Sequence, residues 1–208
     1  NRKKMQKLFA AKHNSEAAFK LFKCSDDDKN AIPIPRTVPL SKLLFTAGSD
    51  RTYKVWHKDT LECLRSHYEK NSTTCMLINE EDNTLLTGSQ TGLVKEYDIY
   101  TGKKIRLVRN GKGDIDSINI TTLAWGSTTT YNTRILFVSR GTKVSVFKYV
   151  KPIPIAESQK VKQPICEVIK DLEHDHRVTS MCVVFNGTKL LTCDATVNGF
   201  FMWDLQSL

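Results

Sequence analysis

Two hydrophobic patterns divide the chain, and the change between them falls near residue 32. Before it, apolar side chains recur at helical spacing with lysines between them. The positions that carry this pattern are Met5, Leu8, Phe9, Ala17, Ala18, Leu21 and Phe22. We therefore predict a basic helical extension with its linker over residues 1–31, ended by Pro33 and Pro35. Such a segment either packs on its own domain or docks on a partner.

Residues 32–208 carry the pattern of short β-strands. Apolar runs alternate with clusters of Gly, Asp, Asn and Thr, which is typical of an all-β domain. The runs are also self-similar, and the small-residue motif at Gly48 returns at Gly88. We divide this part into four units of about four strands each, with approximate bounds 37–70, 71–113, 114–170 and 171–208.

The repeated motifs resemble those of the WD-repeat family of β-propellers. They are the strand end Thr46-Ala47-Gly48-Ser49-Asp50, its counterpart Thr87-Gly88-Ser89, and the dipeptides Tyr97-Asp98 and Trp203-Asp204. The resemblance implies four-stranded blades arranged around an axis, with loop rims that bind other proteins. The chain departs from the family where His57 follows Trp56 and Lys148 follows Phe147, and the Gly-His dipeptide that often opens a repeat is absent.

In that family a His, a Ser or Thr, a turn Asp and a Trp form a buried hydrogen-bond network. The resemblance carries these structural roles to particular residues of this chain. The most complete set is in the fourth unit, where the histidine is assigned to His176 with His174 as the alternative. The assigned positions are Ser49, Asp50, Trp56, Tyr97, Asp98, His176, Thr192, Asp194, Trp203 and Asp204.

Closure of the ring is an open question at the level of sequence. Propellers close with about four to eight blades. The fourth unit reaches only its third strand at Trp203-Asp204, so its outermost strand is not apparent. Residues 32–40 could supply that strand, or the chain could be an incomplete portion of a larger ring. We expect the incomplete portion, because an open stack would expose sheet edges and apolar blade faces.

Charge points to the kind of partner. Lys and Arg number 31 against 22 Asp and Glu, a formal net charge of +9. This charge favours an acidic partner, such as RNA, DNA or an acidic protein surface. A solvated basic surface is the alternative. The candidate contacts, most of them expected on one rim, are Lys103, Lys104, Arg106, Arg109, Lys112 and Lys151.

No catalytic, cofactor or metal motif emerges from the sequence. The five histidines lie in no Ser or Cys nucleophile motif, and residues 111–114 are glycine-rich but lack the phosphate-loop spacing. His174-Asp175-His176 could offer two metal ligands, yet no third appears at a telling spacing. No apolar run reaches the roughly 20 residues of a membrane helix. The six cysteines form no C-x-x-C pair, and we interpret them as free thiols of a reducing compartment.

We therefore expect a non-enzymatic, intracellular scaffold or adaptor of the cytoplasm or nucleus, without a cofactor or a small-molecule substrate. It would bind protein partners through propeller rims and loops as a subunit of a multiprotein complex. The alternative is a nucleic-acid-associated subunit, for instance of a ribonucleoprotein or ribosome-related assembly, that uses the basic clusters on RNA or DNA.

Overall fold

The structure, a computed structural model, describes the chain in five stretches: residues 33–108, 118–128, 133–153, 162–196 and 199–207. The helical extension predicted over residues 1–31 lies outside them. Within the described residues the regular structure is β apart from two short 3-10 turns, Leu40–Lys42 and Leu205–Ser207. The all-β prediction is confirmed.

The strands form four antiparallel sheets in chain order. The first holds β1 (Leu43–Ala47), β2 (Thr52–His57) and β3 (Cys63–Tyr68), and the second β4 (Thr73–Asn79), β5 (Thr84–Ser89), β6 (Val94–Asp98) and β7 (Lys104–Val108). The third holds β8 (Ile120–Thr128), β9 (Thr133–Arg140), β10 (Lys143–Lys148) and β11 (Glu167–Glu173), and the fourth β12 (Val178–Val184), β13 (Lys189–Asp194) and β14 (Phe201–Asp204). Each strand pairs with its neighbours in sequence, so each sheet is a meander built from one unit.

Two details differ from the sequence prediction. Strand β11 runs to Glu173, so the third unit extends past the boundary placed at residue 170. The first sheet has three strands among the described residues rather than four, whereas the three strands of the fourth sheet agree with the prediction that this unit reaches only its third strand. By the repeated motif β1 corresponds to β5, so the first sheet has no described counterpart of β4. Strand β14 corresponds to β6, so the fourth sheet has no described counterpart of β7.

Residues 33–40 do not add an outer strand to the fourth sheet. The backbone N–H of Ile34 donates to the carbonyl of Tyr100 at 2.7 Å, beside the second sheet. The Ile34 side chain is buried in the same cluster as Tyr53 and Tyr97, between the first two sheets. The described residues therefore exclude ring closure by this segment, and they leave β14 at a sheet edge.

Three apolar cores hold the sheets together. Because successive side chains of a strand point to opposite faces, Leu85 packs toward the first sheet while Leu86 packs toward the third, and both are fully buried. Phe137 and Leu190 belong to the core between the third and fourth sheets. Burial on both faces explains why the central strands are apolar in continuous runs, and it fixes the sheets as a stack.

Gly88 has a packing role at the junction of the second and third sheets. A Cβ atom built on it would lie 2.5 Å from Cys75 Sγ and 2.7 Å from Ile120 Cγ2. These distances are far inside van der Waals contact, so the absence of a side chain lets β8 approach β4 and β5. The glycine of the repeated motif is thus required by sheet stacking.

Candidate partner-binding surface and the polar networks beneath it

A tryptophan–threonine hydrogen bond recurs in the first and fourth units. Trp56 Nε1 donates to Thr46 Oγ1 at 2.8 Å, and Trp203 Nε1 donates to Thr192 Oγ1 at 2.9 Å. The two bonds are equivalent, because each threonine lies two residues after the cross-strand partner of its tryptophan. The acceptor in the first unit is Thr46, so the assignment of that role to Ser49 is wrong. The alignment of Thr46 with Thr192 in the repeated motif was the signal for it.

The turn residues of the first unit lie at the surface. Asp50 is exposed, and its carboxylate accepts the backbone N–H of Thr52 at 3.0 Å, which stabilises the turn between β1 and β2. Ser49 is exposed in the same turn. Their role in the described residues is that of a local turn.

The histidine of the fourth unit is His174. Its ring is buried and makes edge contacts with Phe201 and Trp203, at centroid distances of 5.0 and 5.4 Å. His176 is exposed, so the assignment to His176 is wrong. The reason is that β11 ends at Glu173, where the His174 N–H donates to Thr142 O at 2.8 Å and turns the imidazole inward.

Burial lowers the pKa of His174, although three nearby carboxylates act to raise it. They belong to Asp194, Asp175 and Glu173. Asp194 itself accepts the backbone N–H of Thr196 at 3.0 Å. The imidazole is therefore neutral at neutral pH and packs as an aromatic side chain against β14.

Glu69 occupies the equivalent position in the second unit. It follows β3 as His174 follows β11, and its backbone N–H donates to Arg51 O at 2.6 Å in the same way. Its buried carboxylate accepts hydrogen bonds from the Tyr97 hydroxyl and the Lys95 ammonium. Burial and the Glu69 carboxylate raise the pKa of Tyr97. The sequence predicted a structural role for Tyr97 but not for Glu69. Glu69 was missed because the resemblance implies a histidine at this position, and this chain has a carboxylate there.

Asp98 and Asp204 close the ends of β6 and β14. Asp98 accepts the backbone N–H of Thr101 at 2.7 Å. Asp204 accepts the N–H of Gln206 at 3.0 Å and forms an ion pair with Lys189 at 2.5 Å. The aspartates of the Tyr97-Asp98 and Trp203-Asp204 dipeptides thus stabilise the turns that follow β6 and β14.

Arg106 is buried and forms an ion pair with Glu96. Its Nε donates to Glu96 Oε2 at 2.7 Å across the β6–β7 ladder, and Glu96 is wholly inaccessible to solvent. The other carboxylate oxygen accepts from Thr84 Oγ1 at 2.8 Å and from the Tyr149 hydroxyl at 2.5 Å. Burial acts to lower the pKa of Arg106, but the Glu96 carboxylate outweighs it with help from Cys166 and Tyr149, and the pKa is raised.

The remaining donors of Arg106 bind both ends of the segment between β10 and β11. Nη1 donates to Pro164 O at 2.9 Å, and Nη2 donates to Val150 O at 2.7 Å. The prediction that Arg106 contacts a partner or nucleic acid is therefore wrong, because all three guanidinium nitrogens are engaged inside the protein. This arginine joins the second sheet to the base of a loop on the third.

A second pair of hydrogen bonds joins the two ends of the same loop. The Gln163 side chain donates to Ile153 O at 2.9 Å and accepts the Ile153 N–H at 2.9 Å. Three large apolar side chains stay exposed around this base: Val150 at 36%, Ile153 at 45% and Ile165 at 56%. We call these three residues, with Lys151 and Lys162, the loop-base surface. It is an apolar patch on a backbone fixed by side-chain hydrogen bonds.

The other predicted basic contacts are exposed where the structure describes them. Lys103 and Lys104 are exposed at the start of β7. Lys151 is exposed and forms an ion pair with Asp82 at 2.6 Å. Arg109 and Lys112 lie outside the described residues. Lys103, Lys104 and the Asp82 partner of Lys151 lie at the same end of the second sheet, where β5 begins and β6 ends.

Metal ligands and membrane spans are absent from the part of the chain that the structure describes. No three His, Cys, Asp or Glu side chains there are arranged to hold a metal ion. No helix in the described stretches is long and apolar enough to span a membrane. Among the cysteines, Cys75, Cys166, Cys182 and Cys193 are free thiols, whereas Cys63 is disulfide-bonded, so the free-thiol interpretation does not extend to Cys63.

Four antiparallel sheets stacked in chain order through shared apolar cores define an all-β architecture of the β-propeller type. Comparison with known proteins agrees with this class. No family model matches the sequence, and no curated protein matches it. Solved structures do match, with 974 chains in all, so the fold is widely shared and does not by itself select a function.

One matching chain belongs to the crystal structure of the mitotic checkpoint complex. The two chains superpose with a TM-score of 0.62 at 16% sequence identity. The match covers 79% of this chain and 46% of the other, so this chain spans less than half the length of the protein it resembles. At this identity the likeness establishes the fold alone.

Proposed function

We propose that the chain is a portion of a WD-repeat β-propeller that acts as a non-enzymatic scaffold. It binds protein partners through its rims and loops, as a subunit of an intracellular multiprotein complex. The tryptophan–threonine bonds of the first and fourth units support the family assignment. The scaffold function is supported by the similarity of fold to a chain that comes from a multiprotein complex.

The loop-base surface is the observation that carries the proposal. Contiguous apolar side chains that stay exposed are typical of protein–protein contact sites. Here Val150, Ile153 and Ile165 surround a loop base that Arg106 and Gln163 hold in one conformation. A scaffold needs such surfaces on a rigid frame, and the sheet stack supplies the frame.

The fourth sheet supports the idea of an incomplete ring. Its face away from the third sheet carries Met202, which is 58% exposed, beside Leu191 and Cys182 in the same cross-strand row. In the second and third units the corresponding faces are covered by the next sheet. We propose that a further sheet covers this face in the assembled protein.

Affinity purification of the tagged full chain, followed by cross-linking mass spectrometry, tests the scaffold proposal. The expected result is a protein partner that copurifies after nuclease treatment, with cross-links to lysines at the rims and loops. Recovery of nucleic acid as the sole partner, lost on nuclease treatment and on charge reversal of Lys103 and Lys104, would establish the alternative instead.

A further inference from the structure

We propose that the loop-base surface binds a short peptide segment that combines large apolar residues with acidic residues. This inference rests on the proposed scaffold function and names the chemistry of one partner. Two features lead to it. They are the fixed geometry of the apolar patch and the positive charge of the segment that bears it.

Geometry places the apolar side chains together. The Arg106 guanidinium binds the carbonyls of both Val150 and Pro164. The stretch of backbone that leaves β10 and the stretch that enters β11 therefore lie close together. Ile165 follows Pro164 directly, and the Gln163–Ile153 pair continues the contact outward. Ile165 therefore lies near Val150 and Ile153 in space, although it follows them by 15 and 12 positions in sequence.

The patch is also preorganised. Arg106 is anchored from below by the buried carboxylate of Glu96, so it holds the loop base without needing a ligand. Pro152 and Pro164 restrict the backbone at both sides of the patch. A surface that is already ordered loses less conformational entropy on binding, which favours affinity for a short ligand.

Charge selects the ligand. The segment from residue 148 to residue 170 contains five lysines and two glutamates. Lys162 is exposed next to Gln163, whereas Lys151, between Val150 and Pro152, already forms an ion pair with Asp82. An acidic side chain on a ligand would meet the Lys162 ammonium group while its apolar side chains cover Ile153 and Ile165, as electrostatic complementarity requires.

Phe185 is an exposed apolar residue that does not offer the same combination. Phe185 is 68% exposed, but it lies in the turn between β12 and β13 at a φ of 51°. Its near neighbours in the chain are Val184 and Asn186, without a second apolar segment crosslinked beside it. It is therefore a suitable control position.

The experiment selects ligands from a phage-displayed library of random short peptides against the full chain. The expected winners combine Glu or Asp with Leu, Ile, Phe or Trp. In a fluorescence-polarisation assay with the best synthetic peptide, the double variant I153D/I165D is expected to lose roughly tenfold or more in affinity, since each apolar contact is replaced by a like charge. The control F185D should bind as the wild type does, and both variants should keep the wild-type urea midpoint.

Selection of basic or uncharged peptides, or equal binding by I153D/I165D and the wild type, would overturn the inference. So would binding of anionic phosphatidylserine vesicles, or of a single-stranded RNA, that is lost in I153D/I165D while no peptide is selected. The scaffold proposal fails separately. If I153D/I165D still retains its copurified protein partner, the peptide surface is wrong but the scaffold stands, and if the wild type has no protein partner, the scaffold is wrong.

Discussion

Replacing Arg106 by leucine should destabilise the fold far more than the loss of a surface cation. The guanidinium is 5% exposed and its partner Glu96 is wholly buried. The variant therefore leaves a buried carboxylate without its cationic partner. Removing one partner of a buried ion pair costs about 3–5 kcal/mol. Thr84 and Tyr149 still donate to Glu96, and the carbonyl of half-exposed Val150 can find water, so we expect the lower half of that range.

Urea unfolding followed by circular dichroism measures the change, with the free energy of unfolding taken by linear extrapolation. The double variant E96L/R106L is the informative comparison, because it removes both charges. It should be less destabilised than the sum of the two single variants by about 1–3 kcal/mol. R106K, which keeps the charge but not the three-way hydrogen bonding, should fall between R106L and the wild type and remain folded if R106L does not.

A loss below about 1 kcal/mol in R106L would refute the reasoning, because exposed ion pairs contribute in that range. Strict additivity of E96L and R106L would refute it too. In either case the prediction that Arg106 contacts a partner or nucleic acid would regain its basis. K104L, at an exposed position of the same strand, serves as the matched control and should change stability little.

Three further predictions follow from the described contacts. Because the pKa of His174 is lowered in the folded state, its contribution to stability is present above the unfolded pKa near 6.5 and is lost as pH falls through the lower folded value. The variant H174F should flatten that part of the profile of urea midpoint against pH. Substituting G88A should cost about 1–3 kcal/mol by overpacking against neighbouring sheets, while G48A, whose nearest neighbour is a flexible carboxylate at 3.3 Å, should cost less in the same assay. T192V should lower stability by about 1–2 kcal/mol, because the indole N–H of the fourth unit loses its acceptor, and equal stability of T192V and wild type would contradict this.

The stacked sheets could be predicted from the sequence because the signals are local and repeated. Short apolar runs and the turn residues between them identify the strands, and the return of the Gly48 motif at Gly88 identifies the units. The residues at which strands end could be predicted less well. His174 and His176 appear equivalent in an H-x-H sequence, and only the end of β11 at Glu173 decides which ring turns inward.

The internal role of Arg106 could not be deduced from its neighbours in sequence. Lys104 and Arg106 alternate on one strand, which is the pattern of a solvated basic face. The cross-strand position of Glu96 was a usable signal for an ion pair. Its burial, however, comes from the third sheet, and the carbonyls that complete the network belong to Val150 and Pro164, more than forty residues away. Such a site depends on how the units stack, and the sequence of one unit does not contain it.

The central claim is that this chain is part of a propeller that binds protein partners. An electron cryo-microscopy map of the affinity-purified assembly tests it most directly. We predict the four sheets side by side around an axis, a further sheet against Met202 on the open face of the fourth sheet, and partner protein at the loop-base surface. A map in which the four sheets do not share an axis, or in which nucleic acid alone contacts the chain, would contradict the account.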